Sequence, residues 1–322
     1  MANDYEHLYN RILDVTACIH IPVKLFAMTI VALSTKSGHC HYSVIMFNVM
    51  FWNFLANLLF TFIHLYPTFP AECFRLDGPL SNFIDNERFG HFMLTAVFVC
   101  ILNTGLAVLS TFLYRYCSFL HPDLAHSIKP KWIHCFCLLL VLVLDTVVIW
   151  TFSMWSEPYD SYPEPSDLPE RTLLFCYKPH GFWKFVAIMH FLVVFLILIA
   201  VVSPFSFLLL RAFHSTHWQN SQNSRKFLRT QKKAFWNLAI LTGIIFILGA
   251  IPLVITCITA LFPHLPYAQP ACLVCIVFIA NHGTIYAIAT ITLIRSHRKK
   301  VVTLYRQIVD PVLKMSPVRI FK

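Results

Sequence analysis

The sequence predicts an all-α membrane protein, a bundle of seven transmembrane helices with the amino terminus outside and the carboxyl terminus inside. Three observations carry this reading. The 322 residues are 57% hydrophobic and only 12% charged, about half the charged share of a soluble domain. The apolar residues gather in stretches of about 20, the length that crosses a hydrocarbon core of about 30 Å. Lys and Arg concentrate in alternate connections between those stretches, and such connections stay on the cytoplasmic side. A water-soluble globular enzyme has little room in such a composition.

Taken in order, the apolar windows place spans at about 13–34, 43–66, 89–114, 132–155, 183–211, 234–262 and 269–294. The breaks between them hold turn and loop formers: Ser37-Gly38, Pro67 through Pro79, Pro158 through Pro169, and Pro263 through Pro270. Residues 1–11 lack the short apolar core and small-residue cleavage site of a signal peptide, so the first span is expected to act as its own insertion signal. Residues 1–294 then form one seven-span domain and 295–322 a basic tail.

The orientation follows from the basic residues. One (Lys36) follows span 1, three lie in 115–131, six in 211–233 and eight from 295 onward; these connections are expected inside. The opposite connections carry Glu72, Asp77, Asp85, Glu87, Glu157, Asp160, Glu164, Asp167 and Glu170, an acidic outer surface. The net charge of +10 comes from basic residues that interrupt a hydrophobic chain rather than form one basic face. The expected partner is therefore the lipid bilayer and not nucleic acid. Among 11 cysteines the close pairs, Cys135/Cys137 and Cys272/Cys275, sit in apolar segments without further ligands at zinc spacing. Neither a metal nor a cofactor is expected, and most of the thiols read as small buried hydrophobes.

Polar residues inside spans are costly. Asp145 lies mid-span, where an acid costs about 2.5–3.5 kcal/mol on insertion scales, so it should face the bundle interior. Asn103 on span 3 matches its depth; the pair reads as one interhelical hydrogen bond, with a ligand or switching contact as the other reading. Lys24 has no acid on an adjacent span and is expected to snorkel to the interface. His20, His91, His190 and His282 read as isolated. A transporter would set several ionisable groups along a path, and a membrane enzyme would pair His/Asp or Ser/Lys at one depth; neither pattern stands out.

Span 3 ends in Leu113-Tyr114-Arg115-Tyr116, with Pro122 beyond it. This resembles the end of the third helix in rhodopsin-like G-protein-coupled receptors, with Tyr114 in place of the acid. Departures from that pattern are plain: span 7 lacks Asn-Pro-x-x-Tyr, span 6 lacks Cys-Trp-x-Pro, and Gly90 stands where that family places a Cys. Two further stretches are closer to the nematode serpentine chemoreceptors of the group that includes classes h, i, d and j. One is Thr230-Gln231-Lys232-Lys233 with Leu238 and Pro252; the other is Asn281-His282-Gly283-Thr284 followed by the basic exit Arg295 to Lys300.

The resemblance implies a chemosensory receptor of the plasma membrane, with a small-molecule ligand among the outer halves of spans 3 to 7 and a heterotrimeric G protein beneath. An Arg at the inner end of a central helix can exchange polar contacts as helices separate, or simply anchor the helix end by snorkelling. The expected coupling surface is Arg115 with Tyr114, Tyr116 and Pro122, together with Arg225, Lys226 and Arg229 of the basic 211–233 segment. Asn103, Asp145, Asn281 and His282 are the intramembrane polar candidates.

Cys73 and Cys176 lie in outer connections facing an oxidising exterior, so a disulfide between them is expected, with Cys18 and Cys272 as competing partners. In the tail, Val301, Leu304, Tyr305 and Ile308 follow helical spacing among Arg298, Lys299, Lys300 and Arg306. That is either a short helix lying on an anionic inner leaflet or a basic stop signal without stable structure. The readings that compete with a receptor are a channel or transporter subunit and a non-signalling structural or trafficking protein.

Overall fold

The computed structural model describes residues 2–35, 40–83, 86–120, 130–168, 174–214 and 222–315. Seven of its helices are long and apolar enough to cross a membrane. They are α1 (Ala2–Thr35), α2 (Cys40–Ile63), α3 (Glu87–Leu120), α4 (Pro130–Trp155), α5 (Phe182–His214), α6 and α7 (Ala268–Leu293). Helix α6 runs as Gln222–Ile245, a π-helical turn at Phe246–Ala250, and Ile251–Leu261; α8 (Arg295–Met315) follows α7. Lipid offers no hydrogen bonds, so the spanning backbone satisfies itself within each helix. Hydroxyls do the same: Thr95, Thr104, Thr111, Thr146 and Ser203 each donate to the carbonyl four residues back.

The core joins Leu94, Val97 and Leu102 of α3 to Phe152 of α4, Phe191 of α5, Leu253 of α6 and Ile276 of α7. Helix α4 sits at the edge, with Leu138, Leu139 and Leu142 exposed where lipid would lie. The π turn in α6 precedes Pro252, whose ring and missing N–H cannot fit a regular α-helical ladder.

Two of the connections that the sequence marks only as loops build a small sheet. Strands β1 (Leu65–Pro67), β2 (Cys73–Leu76), β3 (Ser156–Glu157) and β4 (Leu174–Tyr177) pair antiparallel in the order β1-β2-β4-β3. Cys73 registers against Cys176, and their sulfurs are bonded at 2.00 Å. Neither Cys18 nor Cys272 takes part; both are free thiols. The end of the bundle carrying this sheet is the sheet end, and the other, reached by α8 and the Arg229–Lys233 part of α6, is the basic end.

The helix boundaries depart from the sequence reading where the sheet takes over. Helix α1 starts at Ala2 rather than near 13 because its first turns dock on the strands. Glu6 and Asp77 both grip Arg75, at 2.5 Å each, the guanidinium lies 5.0 Å from the Tyr66 ring centroid, and the Tyr9 hydroxyl donates to the Leu65 carbonyl at 2.7 Å. Span 2 ends at Ile63 instead of 66, since His64 adopts a left-handed conformation (φ 39°) that turns the chain into β1. The sheet also bonds α7 through Gln269 to Tyr66 and Pro67 at 3.0 and 3.1 Å.

Replacing Cys176 with Ser should cost about 2–4 kcal/mol, the usual worth of a disulfide closing a long loop. The expected readout is a lower unfolding temperature of the purified protein and poor surface delivery. An unreduced peptide map should recover the Cys73 and Cys176 peptides linked; linkage to Cys18 or Cys272 would contradict this sheet.

Candidate functional site

Below the sheet, α3, α5, α6 and α7 enclose a cavity of about 60 Å3. Phe98 and Ile101 of α3, Phe191 of α5, Leu253 and Ala260 of α6 and Ile276 of α7 form its walls, and Phe69 and Phe74 of the β1–β2 hairpin close it from above. Among its lining residues only Thr256, the thiols of Cys257 and Cys272 and the Trp155 ring carry side-chain polar atoms. A dry engineered cavity that accepts benzene is roughly 150 Å3. A ligand of benzene size or larger therefore needs this cavity to widen.

Directly beneath, three helices share a buried polar chain. Lys24 of α1 donates from Nζ to Asn53 Oδ1 of α2 at 2.9 Å, and Asn53 Nδ2 lies 2.7 Å from His282 Nε2 of α7. His282 Nδ1 lies 2.6 Å from the Ile279 carbonyl. That carbonyl can only accept, so Nδ1 carries the proton and Nε2 accepts from Asn53. Asn57, one turn further along α2, donates to the Ala280 carbonyl of α7. Lys24 and His282 are 2% and 8% exposed, which corrects two expectations. Lys24 does not snorkel, and His282 is not isolated; burying these groups is tolerable because each has a partner.

The chain explains the glycine beside His282. A Cβ on Gly283 would collide with the Asn53 side-chain amide and the Lys24 amine. Gly249, in the π turn of α6, lies so close to the His282 ring that a Cβ there would touch it at 3.4 Å. The polar chain thus reaches from α1 to the irregular turn of α6.

The other sequence-derived residues fall elsewhere. Asn103 donates to both carboxylate oxygens of Asp145 at 3.0 Å, an interhelical bond between α3 and α4. Asn281 turns back to the Val277 carbonyl of its own helix at 2.8 Å and does not join the Lys24 chain. Tyr114 and Tyr116 are half-buried on α3, and the Tyr116 ring meets Phe205 of α5 at 4.7 Å. Near them Phe112 of α3 packs with Phe235 and Leu238 of α6. Arg229 is exposed at the basic end. Pro122 and the side chains of Arg115, Arg225 and Lys226 lie outside what is described. Sequence reading passed over Asn53 and Asn57, although an Asn inside an apolar span is itself a signal that a partner faces it.

A seven-helix membrane bundle with a roofed cavity between α3 and α7 has the form of a serpentine receptor. The chain belongs to the serpentine type 7TM GPCR chemoreceptor family Srh, a nematode class, which it matches over residues 4–307. No curated protein matches it significantly.

Gly283→Ala should lower the unfolding temperature markedly, since overpacking a core costs about 1–3 kcal/mol and here it also breaks a buried hydrogen-bond chain. Gly243→Ala is the internal control. Nothing lies within 4 Å of a Cβ at that position, so it should be neutral or gain up to about 1 kcal/mol. Equal behaviour of the two variants would remove the packing role given to Gly283.

Proposed function

We propose that the chain is a chemosensory receptor of the plasma membrane. It takes a small apolar ligand into the cavity under the sheet and signals to a heterotrimeric G protein at the basic end. The observation that carries this reading is the cavity itself, apolar on nearly every wall and smaller than benzene requires. A ligand shifts a conformational equilibrium only by its preference for one state. An apolar molecule too large for the closed cavity favours a state in which α6, bearing Leu253, Cys257 and Ala260 on the wall, has moved outward.

The π turn at Phe246–Ala250 is the natural place for α6 to bend. Movement there is passed to Phe235 and Leu238, which pack on Phe112 close to the Tyr114-Arg115-Tyr116 end of α3. As α3 and α6 part, Arg115 at the inner end of α3 becomes available to the partner. Arg225, Lys226, Arg229 and Pro122 complete the docking rim in this reading. In this reading the basic end faces the cytoplasm and the sheet the exterior, which the distribution of Lys and Arg supports. Helix α8 then lies on the inner leaflet.

Second-messenger or calcium responses to panels of small apolar odorants in expressing cells test the proposal; a current that persists without G protein would favour a channel instead. Ala260→Leu, which fills the cavity, should raise the effective ligand concentration at least about tenfold, one lost buried contact being worth about 1.4 kcal/mol or more. Arg115→Ala should reach the surface and bind ligand while losing most of its signal. Signalling at the parental level from surface-delivered Arg115→Ala would end the switch role assigned to that residue.

A further inference from the structure

The hydrogen-bond donors on the walls of the cavity under the sheet are already committed. The Thr256 hydroxyl turns back onto its own helix and donates to the Pro252 carbonyl at 3.0 Å. The Trp155 indole N–H points the other way, to the Lys178 carbonyl at 2.9 Å. That leaves the thiols of Cys257 and Cys272, and a thiol is both a weak donor and a weak acceptor. Among the described lining residues no side chain carries a charge or an amide.

A hydroxyl, carbonyl or carboxylate carried into this space gives up its bonds to water and finds no strong partner in return, which costs affinity. The walls favour one kind of apolar guest over another, because they are aromatic and already set largely edge to face. Phe98 meets Phe191 at 4.8 Å between ring centroids with the planes 64° apart, and Phe152 meets Phe191 at 6.3 Å and 81°. In the roof Phe69 meets Phe74 at 6.4 Å and 69°. Rings arranged in this way offer both positive edges and negative faces, which a further aromatic ring can match and a saturated ring of the same size cannot.

We infer that this cavity selects a monocyclic aromatic hydrocarbon, a molecule of the toluene class, over its hydroxylated and its saturated counterparts. The inference rests on the ligand site proposed above and narrows it from apolar molecules in general to one chemical class. The closed cavity is about 60 Å3 against roughly 150 Å3 for one that accepts benzene, so such a ring needs the widening assigned there to α6.

Thermal unfolding of the purified full chain in detergent, titrated in turn with toluene, phenol and methylcyclohexane, provides the test. Each concentration is counted as a mole fraction of the detergent phase, which removes the common preference of apolar molecules for leaving water. Toluene should give a saturable rise in unfolding temperature that Ala260→Leu weakens. Phenol, whose hydroxyl is satisfied at the micelle surface and not in this cavity, should bind at least about tenfold more weakly than toluene. Methylcyclohexane should bind about threefold more weakly or worse, for want of a ring that can pack edge to face. Thr256→Val, which removes the wall hydroxyl, should leave the ratio of toluene to phenol affinity unchanged; a selective loss of phenol binding would make that hydroxyl a ligand partner and overturn the inference. Phenol or methylcyclohexane binding as tightly as toluene in the parent overturns it as well, while sensitivity of those rises to Ala260→Leu leaves the ligand cavity standing. No rise with any of the compounds, or rises indifferent to Ala260→Leu, overturn the inference and the ligand cavity together.

Discussion

An amine buried among apolar helices constrains the bundle more than any other single group here. Lys24 is 2% exposed, too deep for its stem to carry the amine to water, so a polar acceptor has to meet it inside. Asn53 supplies that acceptor and then needs one for its own amide N–H, which His282 provides. The imidazole can accept at Nε2 only if its proton sits on Nδ1, which the Ile279 carbonyl secures. Each step fixes the rotation of another helix. The packing follows: position 283 has no room for a side chain, and α6 approaches the imidazole at Gly249, where its backbone leaves the regular α-helical pattern.

The disulfide-bonded sheet imposes the second constraint. Helices end in unsatisfied backbone groups, and connections between spans ordinarily wander; here two of them pair with each other instead. Arg75 and Tyr9 bring α1 to the sheet, the Glu87 carboxylate of α3 accepts from the Tyr159 N–H at 3.2 Å, Trp155 of α4 donates to the Lys178 carbonyl at 2.9 Å, and Gln269 binds α7. Gly90 belongs to the same arrangement, because any side chain there would strike the Phe175 ring. In this chain the disulfide runs from strand to strand, and α3 packs bare backbone against the sheet at Gly90.

How much of this was legible follows from the range of the forces involved. Seven spans could be read because hydrophobic length is a local property. The Asn103–Asp145 bond could be read because two polar groups at one depth on consecutive spans have few other places to go. The Lys24 chain could not: it depends on the relative rotation of α1, α2 and α7, the last of them more than 200 residues away, and snorkelling is the sound default for a lone lysine. The sheet was hidden for a different reason. Its strands are two to four residues long and bordered by Pro67, Pro70, Pro79 and Pro158, which signal loops by every local rule. Its register is set by one covalent bond and by the docking of helices, neither of which leaves a periodic trace. Arg115 was found by its neighbours in sequence rather than by geometry.

The two ends of α6 are held unequally, and this gives the bundle a direction. At the sheet end α6 is leashed by a short connection to α7, whose Gln269 is bonded to a sheet that is itself locked by a disulfide. Midway, Gly249 rests on an imidazole fixed from two sides. At the basic end the described contacts are of another kind: Phe235 and Leu238 pack on Phe112, and the Asn237 amide donates to the Leu293 carbonyl of α7 at 3.1 Å. Packing contacts can be exchanged for others at little net cost, whereas a covalent bond and a buried hydrogen-bond chain cannot. In the receptor reading proposed above, a displacement introduced at the cavity would pivot about the π turn and Pro252 and move the basic end, the end assigned there to the partner.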